Sequence, residues 1–443
     1  MFRKRMALAL LLAAMAALLM VACQPAAPAQ EPAAEEPAAE EPAAEEPAAE
    51  EPAAEEPAEE EPAAEEPAAE DEEFVFGVIL VGPRNDRGYS QAHYEGGLYI
   101  EEHIPGARMI AFESLNPADK PEATVEGVVD DMVAQGARLI FATSDEFEED
   151  TNTAARKHPD VAFVMTSGDD AWEEGQDAGE APPNLTNVFG RMEDMKAIAG
   201  CAAAMATETG RIGYLGPLIN HETRRLANSA YLGARYCWEN FRGEDPADLY
   251  FEVVWIGFWF NIPGVTLDPT QVVTQFIDSG IDVILSGIDT TEAIDVSGQR
   301  AAQGERVFAI PYDYVGACDN APDICLGVPY FNWGPDYLEE AQAVIDGTWT
   351  QRFEWNEAYW EDINDHDRSP VGWIHGPALE ANEEWLAAVE EYIAGLGSGE
   401  IEVWAGPINL QDGTEYVPAG EVATDPQIWY APQILEGMTG ASE

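Results

Sequence analysis

Positive charge is scarce in this chain, in which 21 lysines and arginines stand against 84 aspartates and glutamates. The formal net charge is −63. A surface of one sign repels polyanions, so nucleic acid and anionic lipid surfaces are poor partners for this chain. The acids are dispersed along the chain, and this pattern indicates solubility and mutual repulsion rather than a cation site.

Catalytic signatures are also missing. The six histidines form no HExxH or triad-like grouping, and the chain has no GxSxG and no phosphate-binding loop. The acidic stretch 362–369 lacks the glycine and the closing glutamate of a calcium loop. We therefore expect a protein that is not an enzyme and carries no metal or cofactor. A tethered nucleoside hydrolase is the alternative, but it needs an aspartate cluster after the first strand, where residues 83–88 hold one acid.

Only the N-terminus offers a long, purely apolar run. Arg3, Lys4 and Arg5 precede the uninterrupted apolar residues 6–22, which is the order of a secretory signal. A retained membrane anchor is the alternative. The residues from Met20 to Cys23 resemble a bacterial lipobox, which implies cleavage after residue 22 and a lipid on Cys23. The body would then lie outside the cytoplasmic membrane and contact it only through the lipid.

Residues 31–70 form eight pentapeptides of the type EPAAE, one of them altered to EPAEE. A proline in every fifth position breaks each helical turn, and there is little apolar surface to bury. At about 3.1 Å per residue these forty residues reach at most roughly 120 Å. We predict that residues 23–73 are a disordered tether behind the lipidated cysteine.

Cysteine is rare, with five in the whole chain. Cys318 and Cys325 close a short loop rich in turn residues, and export to an oxidising place favours a disulfide between them. Cys201 and Cys237 lie in predicted helices, where they either pair or serve as small buried apolar groups. None of the spacings fits a zinc site.

The body from residue 74 onward alternates apolar strand-length runs with helical segments. Strands that are apolar on both faces and alternate with helices are typical of parallel sheets covered on both sides, and this length suits two α/β domains. The runs predicted as strands are 74–82, 137–143, 161–167, 211–216, 250–260, 282–287 and 306–313.

Candidate ligand-binding residues follow the predicted strands, because ligands of such sheets bind beyond the carboxyl ends of the strands. Aromatic rings could sandwich a flat ligand while carboxylates accept its hydrogen bonds. For each residue, and for Asn85 and Asp86 above all, helix capping or packing is an open alternative. The candidates are Asn85, Asp86, Tyr89, Ser90, Gln91, Ser144, Asp145, Phe147, Asn228, Trp259, Phe260, Asp289 and Asp313.

Several segments of the body resemble the basic membrane protein family of substrate-binding lipoproteins. They include YEGG (94–97), NVFGRMEDMKAIAGCAAAM (187–205), GRIGYLGPL (210–218), ANSAYLGAR (227–235) and NWGPDYLEEAQAVIDGTW (332–349). The resemblance implies the type 1 periplasmic-binding fold, a purine base or nucleoside as ligand, an ABC permease as partner and a monomeric protein. A sensor that presents its closed form to a membrane receptor would use the same cleft and is a further alternative.

The resemblance also implies the domain organisation. It places an N-terminal α/β lobe at 74–188, completed by about 312–375, and a C-terminal lobe at 189–311, completed by about 376–443. The two lobes are joined by hinge crossovers. The chain departs from the family pattern in the pair Tyr89-Ser90, in an apparent insertion at 261–267 and in a more polar loop at 216–225.

Overall fold

The structure is a computed structural model that describes residues 73–176, 178–179 and 181–443. The predicted signal peptide, Cys23 and nearly all of the predicted tether lie outside the described residues. The strands are β1 (Phe74–Ile79), β2 (Ala107–Phe112), β3 (Leu139–Ala142), β4 (Ala162–Met165), β5 (Leu185–Gly190), β6 (Arg211–Gly216), β7 (Tyr250–Trp255), β8 (Val283–Ser286), β9 (Phe308–Ile310), β10 (Gly327–Phe331), β11 (Phe353–Asn356), β12 (Val371–His375), β13 (Ile408–Asn409), β14 (Glu415–Val417) and β15 (Met438–Thr439).

Helices connect most of these strands. They are α1 (Tyr89–His103), α2 (Val125–Ala134), α3 (Glu148–Lys157), α4 (Met192–Ala206), α5 (His221–Asn240), α6 (Pro269–Asp278), α7 (Glu292–Ala302), α8 (Gly334–Asp346), α9 (Pro377–Glu380), α10 (Glu383–Ser398) and α11 (Asp425–Trp429).

Two parallel sheets organise the described residues. One has six strands in the order β11-β5-β4-β3-β1-β2, and the other has five in the order β15-β7-β6-β8-β9. All pairings within both sheets are parallel. We call the six-stranded sheet with its helices the N lobe and the five-stranded sheet with its helices the C lobe. This is the doubly wound α/β architecture expected from the alternating pattern.

The chain passes between the two sheets three times. It leaves the N lobe after β5, returns for β11 and enters the C lobe again for β15. Strands β10 and β12 form a separate antiparallel pair on the connecting segments. Parallel neighbours in each sheet place the carboxyl ends of the strands, and the loops that follow them, at one edge.

Helices α4 and α5 pack at very short range in the C lobe. A methyl group on Gly200 would lie 1.8 Å from the carbonyl oxygen of Ala230, and one on Gly233 would lie 2.0 Å from that of Ala197. The same helix pair carries a Cys201–Cys237 disulfide. The glycines of α4 and α5 therefore fix the two helices against each other, and the N-terminus of α5 reaches the cleft.

A second disulfide joins Cys318 and Cys325, which flank the loop before β10. Two predicted features of the strands differ from the structure. Strand β7 ends at Trp255 instead of running to residue 260, because the chain turns at Gly257 with a φ of 102°. The runs predicted as strands did not include β2, β5 or any of the strands from β10 to β15.

Candidate functional site

Loops from both lobes enclose a cavity at the carboxyl ends of the strands. In the C lobe, β6, β7, β8 and β9 each contribute lining residues, either from the strand itself or from the loop that follows it. In the N lobe, the lining residues follow β1 and β3. The lining residues are Tyr89, Ser144, Asp145, Tyr214, Pro217, Glu222, Thr223, Leu226, Trp259, Gly287, Asp289, Tyr312 and Asp313.

The two lobes touch across this cavity. A methyl group on Gly88 of the N lobe would lie 1.7 Å from the carbonyl oxygen of Asp289 in the C lobe. Asn220 Nδ2 donates a hydrogen bond to Asp145 Oδ2 across the cleft at 3.1 Å. Only glycine permits the first of these approaches, so the structure shows the cleft closed.

Asp313 is the least exposed carboxyl group of the cavity, with 0% of its surface accessible to solvent. Within the described residues neither carboxylate oxygen has a donor at full hydrogen-bonding geometry, but the hydroxyl of Tyr312 lies close enough to stabilise the charged form. Burial raises the pKa of Asp313 well above its usual range, against the opposing effect of Lys196. Its backbone has a φ of 71°, an uncommon conformation that clusters at functional sites.

Backbone pairing holds Asp313 in this conformation. Its N–H donates to the carbonyl of Pro329, and its carbonyl accepts from the N–H of Phe331 on β10. Lys196 lies behind it, where Nζ donates to the carbonyl of Ser286 at 2.8 Å and sits 3.0 Å from the ring centroid of Tyr312. The lysine is thus engaged with the C lobe and does not line the cavity.

Asp289 and Trp259 form the C-lobe wall nearest the N lobe. The backbone N–H of Asp289 donates to the carbonyl of Trp259 at 3.0 Å. Burial, and then the charge of Asp313, raises the pKa of Asp289 well above its usual range. The indole of Trp259 is 8% exposed, and its Nε1 has no acceptor within the described residues. The wall therefore offers one donor and one carboxyl group to a ligand.

Tyr89, the first residue of α1, forms the N-lobe wall. Its ring stands edge-on to His93 with centroids 4.3 Å apart, and its hydroxyl donates to the carbonyl of Thr166 at 3.0 Å. His93 in turn stacks on Trp333 at 4.1 Å. Packing and a hydrogen bond thus hold Tyr89 against the cavity.

Glu222 enters the cavity from the first turn of α5. Asn220 caps this helix, accepting from the N–H of Thr223 in a capping box. Glu222 Oε2 accepts from the hydroxyl of Ser167, which follows β4 in the N lobe, at 3.0 Å. Burial raises the pKa of Glu222 to about 7, although nearby Arg225 opposes the shift.

This geometry agrees with the family comparison. The model of the ABC transporter substrate-binding protein PnrA-like family matches residues 74–351. The chain belongs to that family. PnrA-like proteins work outside the cytoplasm, bind a small-molecule ligand and serve an ABC permease.

Two relatives extend the comparison. A purine-binding protein of Brucella abortus is 29% identical over 80% of this chain and 90% of its own length. A provisionally named ABC transporter glucose-binding protein of Haloferax volcanii is 25% identical over 74% of this chain and 73% of its own. Both relatives are named as binding proteins.

Solved structures show the same type 1 periplasmic-binding fold. A solute-binding protein of an ABC transporter from Aeropyrum pernix has a TM-score of 0.59 at 16% identity, covering 76% of this chain and 93% of its own. Another from Conexibacter woesei has a TM-score of 0.53 at 18% identity, covering 74% and 98%. These likenesses concern the fold alone.

Six predicted ligand-binding residues line the cavity, namely Tyr89, Ser144, Asp145, Trp259, Asp289 and Asp313. Asp86 lies outside it and caps α1, where its carboxylate accepts from the N–H groups of Gly88, Ser90 and Gln91. Ser90 Oγ accepts from the N–H of Gly82 at 2.9 Å. The capping alternative thus describes the position of Asp86.

The remaining predicted residues do not line the cavity either. Asn85 is exposed, and Gln91 Nε2 donates to Glu95 on the helix surface. Phe147 is buried in the hydrophobic core. Asn228 donates to the carbonyl of Gln433, and Phe260 packs edge-on against Phe258.

Sequence reasoning did not name Tyr214 or Glu222. Tyr214 lies on the same face of β6 as Ile212, and both residues are apolar enough to suggest core packing alone. Glu222 belongs to the unusually polar loop 216–225, yet an acid in a first helical turn normally indicates only a favourable interaction with the helix dipole.

Two further observations concern the residues that the structure describes. They contain no group of three histidine, cysteine or acidic side chains that could hold a metal ion. Over the same part of the chain, no helix combines the length and the apolar character needed to cross a bilayer.

Proposed function

We propose that this protein captures a purine base or nucleoside in the cleft between its lobes and delivers it to an ABC permease. Ligand binding shifts the population toward the closed form, because the ligand contacts both walls only when the lobes are closed. The folded body is presented to the permease on a lipid at Cys23 and a tether of residues 24–73, and it acts as a monomer.

The observation that carries the proposal is the chemistry of the cavity wall. Asp313 and Asp289 are buried carboxyl groups, and neither oxygen of Asp313 has a donor at full hydrogen-bonding geometry within the described residues. Such groups are costly to bury unless a partner supplies hydrogen bonds. A purine ring carries N–H donors, and a ribose carries hydroxyl donors.

The aromatic walls suit the same ligand. Trp259 and Tyr312 are nearly buried and belong to different strand ends of the C lobe, while Tyr89 faces them from the N lobe. Stacking on aromatic side chains binds any planar base, and the Trp259 Nε1 donor could serve a ring nitrogen or carbonyl. The purine-binding relative from Brucella abortus supports this ligand class.

A sugar is the second candidate. The Haloferax volcanii relative is named for glucose binding, and buried carboxylates beside a tryptophan also suit hydroxyl groups and an apolar sugar face. Sugars offer many hydroxyl donors but no flat ring. The number of aromatic side chains around this cavity favours the purine.

Calorimetric titration distinguishes these ligands. Adenine, adenosine, guanosine, inosine and glucose are titrated into ligand-free protein, and the ligand retained on purification is identified by mass spectrometry. We expect saturable heat with at least one purine compound and none with glucose. A tight response to glucose with no response to any purine would overturn the ligand class and leave the binding-protein fold intact.

A further inference from the structure

The solvent exposure of Glu222 depends on whether the cleft is closed, because residues of the other lobe cover it. It belongs to the C lobe, but Ser167, which donates to its Oε2, and Tyr89 and Asp145, which line the same cavity, belong to the N lobe. Only 9% of its surface is exposed in the closed form. If the lobes part, this cover is removed and the carboxyl group returns to water.

Other carboxyl groups face Glu222 from several elements, and burial raises the pKa of each of them as well. Asp145 follows β3, Asp289 follows β8 and Asp313 follows β9, and all of them line its cavity. No lysine or arginine is among the described residues that line it. The four carboxyl groups therefore share one buried space without a cation in its wall.

The nearby cations are engaged elsewhere. On α5 itself, Arg225 forms an ion pair with Glu193 of α4 at 2.5 Å, and Arg224 contacts His221 and the carbonyl of Ala431. Lys196 of α4 is bound to Ser286 and covers the ring of Tyr312, and burial lowers its pKa well below the usual range against the charges of Asp313 and Glu222. Arg225 is the cation that opposes protonation of Glu222, and burial outweighs it.

We propose that closing of the cleft takes up one proton from solvent at Glu222. The proton binds the carboxylate oxygen that Ser167 does not occupy, and it leaves when the lobes part. This inference rests on the proposed ligand-binding role of the cleft. Because the closed form binds the extra proton, ligand binds more tightly at low pH and is released more easily at high pH.

The direction follows from the two environments. In the closed form burial raises the pKa of Glu222 to about 7, from an ordinary value of 4.5 that applies when water reaches the group. The closed form is therefore favoured fully below pH 4.5. That advantage is lost as the pH rises through 7, so the window of proton uptake lies between these values.

Calorimetry in buffers of different ionisation enthalpy counts the protons. Adenosine and inosine are titrated at pH 6 into the full chain, into Glu222→Gln and into Glu239→Gln, an exposed glutamate of the same helix. Glutamine keeps an acceptor for Ser167 but cannot titrate. We expect the wild type and Glu239→Gln to take up about one proton more than Glu222→Gln.

The pH dependence of affinity gives an independent readout. Relative to Glu222→Gln, the wild-type affinity should fall by up to about tenfold per pH unit between pH 5 and pH 7. Ser167→Ala should weaken binding at every pH and keep the proton uptake. Equal uptake in wild type and Glu222→Gln would overturn the proposal.

Closure can also be followed without a ligand, which separates this inference from the ligand assignment. A fluorescent donor and acceptor are placed site-specifically at exposed positions 149 on α3 and 299 on α7. We expect a larger closed population at pH 5 than at pH 8, and a flatter response in Glu222→Gln. If no purine binds but this response is seen, the proton coupling stands while the ligand class fails. The same response in both proteins would count against the coupling.

Discussion

The first loop of the N lobe and the strand ends of the C lobe both place polar residues beyond the carboxyl ends of strands, but the hydrogen bonds of these residues differ. The side-chain oxygens of Asp86 and Ser90 accept hydrogen bonds from backbone N–H groups of the N lobe itself. Asp313 is as fully buried as Ser90, but within the described residues its carboxylate meets no donor at full hydrogen-bonding geometry. Polar groups with hydrogen bonds inside their own lobe stabilise the fold, whereas a buried carboxyl group without such bonds can accept hydrogen bonds from a ligand.

The largest effect that tests this comparison is expected for Asp313→Asn. If the carboxylate accepts a buried hydrogen bond from the ligand, affinity should fall by about 1.5–3 kcal/mol. Asparagine tolerates the left-handed backbone of this position, so the fold should persist. Stability of the ligand-free protein should stay constant or rise, because a buried carboxyl group without a donor is removed. Calorimetry with the best purine ligand and thermal unfolding measure the two quantities.

The matched control is Asp248→Asn, which changes an exposed aspartate of the same lobe. It should leave both affinity and unfolding temperature unchanged. If Asp313→Asn lowers stability and keeps affinity, Asp313 serves the scaffold and the contrast between the two regions fails.

A smaller effect of the opposite kind is expected for Asp86→Ala. The substitution removes the acceptor of three N–H groups at the start of α1, so the free energy of unfolding should fall by about 1–2 kcal/mol. Asp86→Asn keeps one acceptor oxygen and should lose less. Denaturant unfolding measures the loss, and ligand affinity of the folded fraction should change little. A large drop in affinity at unchanged stability would make Asp86 a ligand contact.

The smallest effect is expected for Ser90→Ala. Its hydroxyl is buried and accepts from the N–H of Gly82, so its loss should lower the free energy of unfolding by about 0.5–1.5 kcal/mol. Chemical denaturation followed by far-ultraviolet circular dichroism suffices. An affinity loss larger than the stability loss would extend the binding site into the first loop.

Much of the fold follows from local pattern. Strands β1, β3, β4 and β8 are buried along their whole length, and uninterrupted apolar runs predict such strands. Strand β2 escaped prediction because it lies at a sheet edge, where its residues are half-exposed and include Arg108. Strand β15 has two residues and exists through its pairing with β7, which the local sequence does not specify.

The site is less predictable, because its chemistry depends on what each side chain meets. Asp86 and Asp289 both follow a strand, and nothing local distinguishes the one that caps a helix from the one that lines a cavity. Trp259 reaches the cavity only because the chain turns at Gly257. Glu222 becomes buried through Ser167, a residue of the other lobe that is 55 positions away in sequence.

The interlaced sheets bear on how the chain is made and exported. β11 adds residues 353–356 to the N lobe beside β5, and β15 adds residues 438–439 to the C lobe beside β7. During synthesis from the N-terminus, each sheet keeps an unpaired edge until a segment far downstream emerges, and open edges invite pairing with other chains. A chaperone that holds the half-made chain, or rapid completion of translocation, would protect it. For the same reason no single cut yields a lobe that can be produced alone.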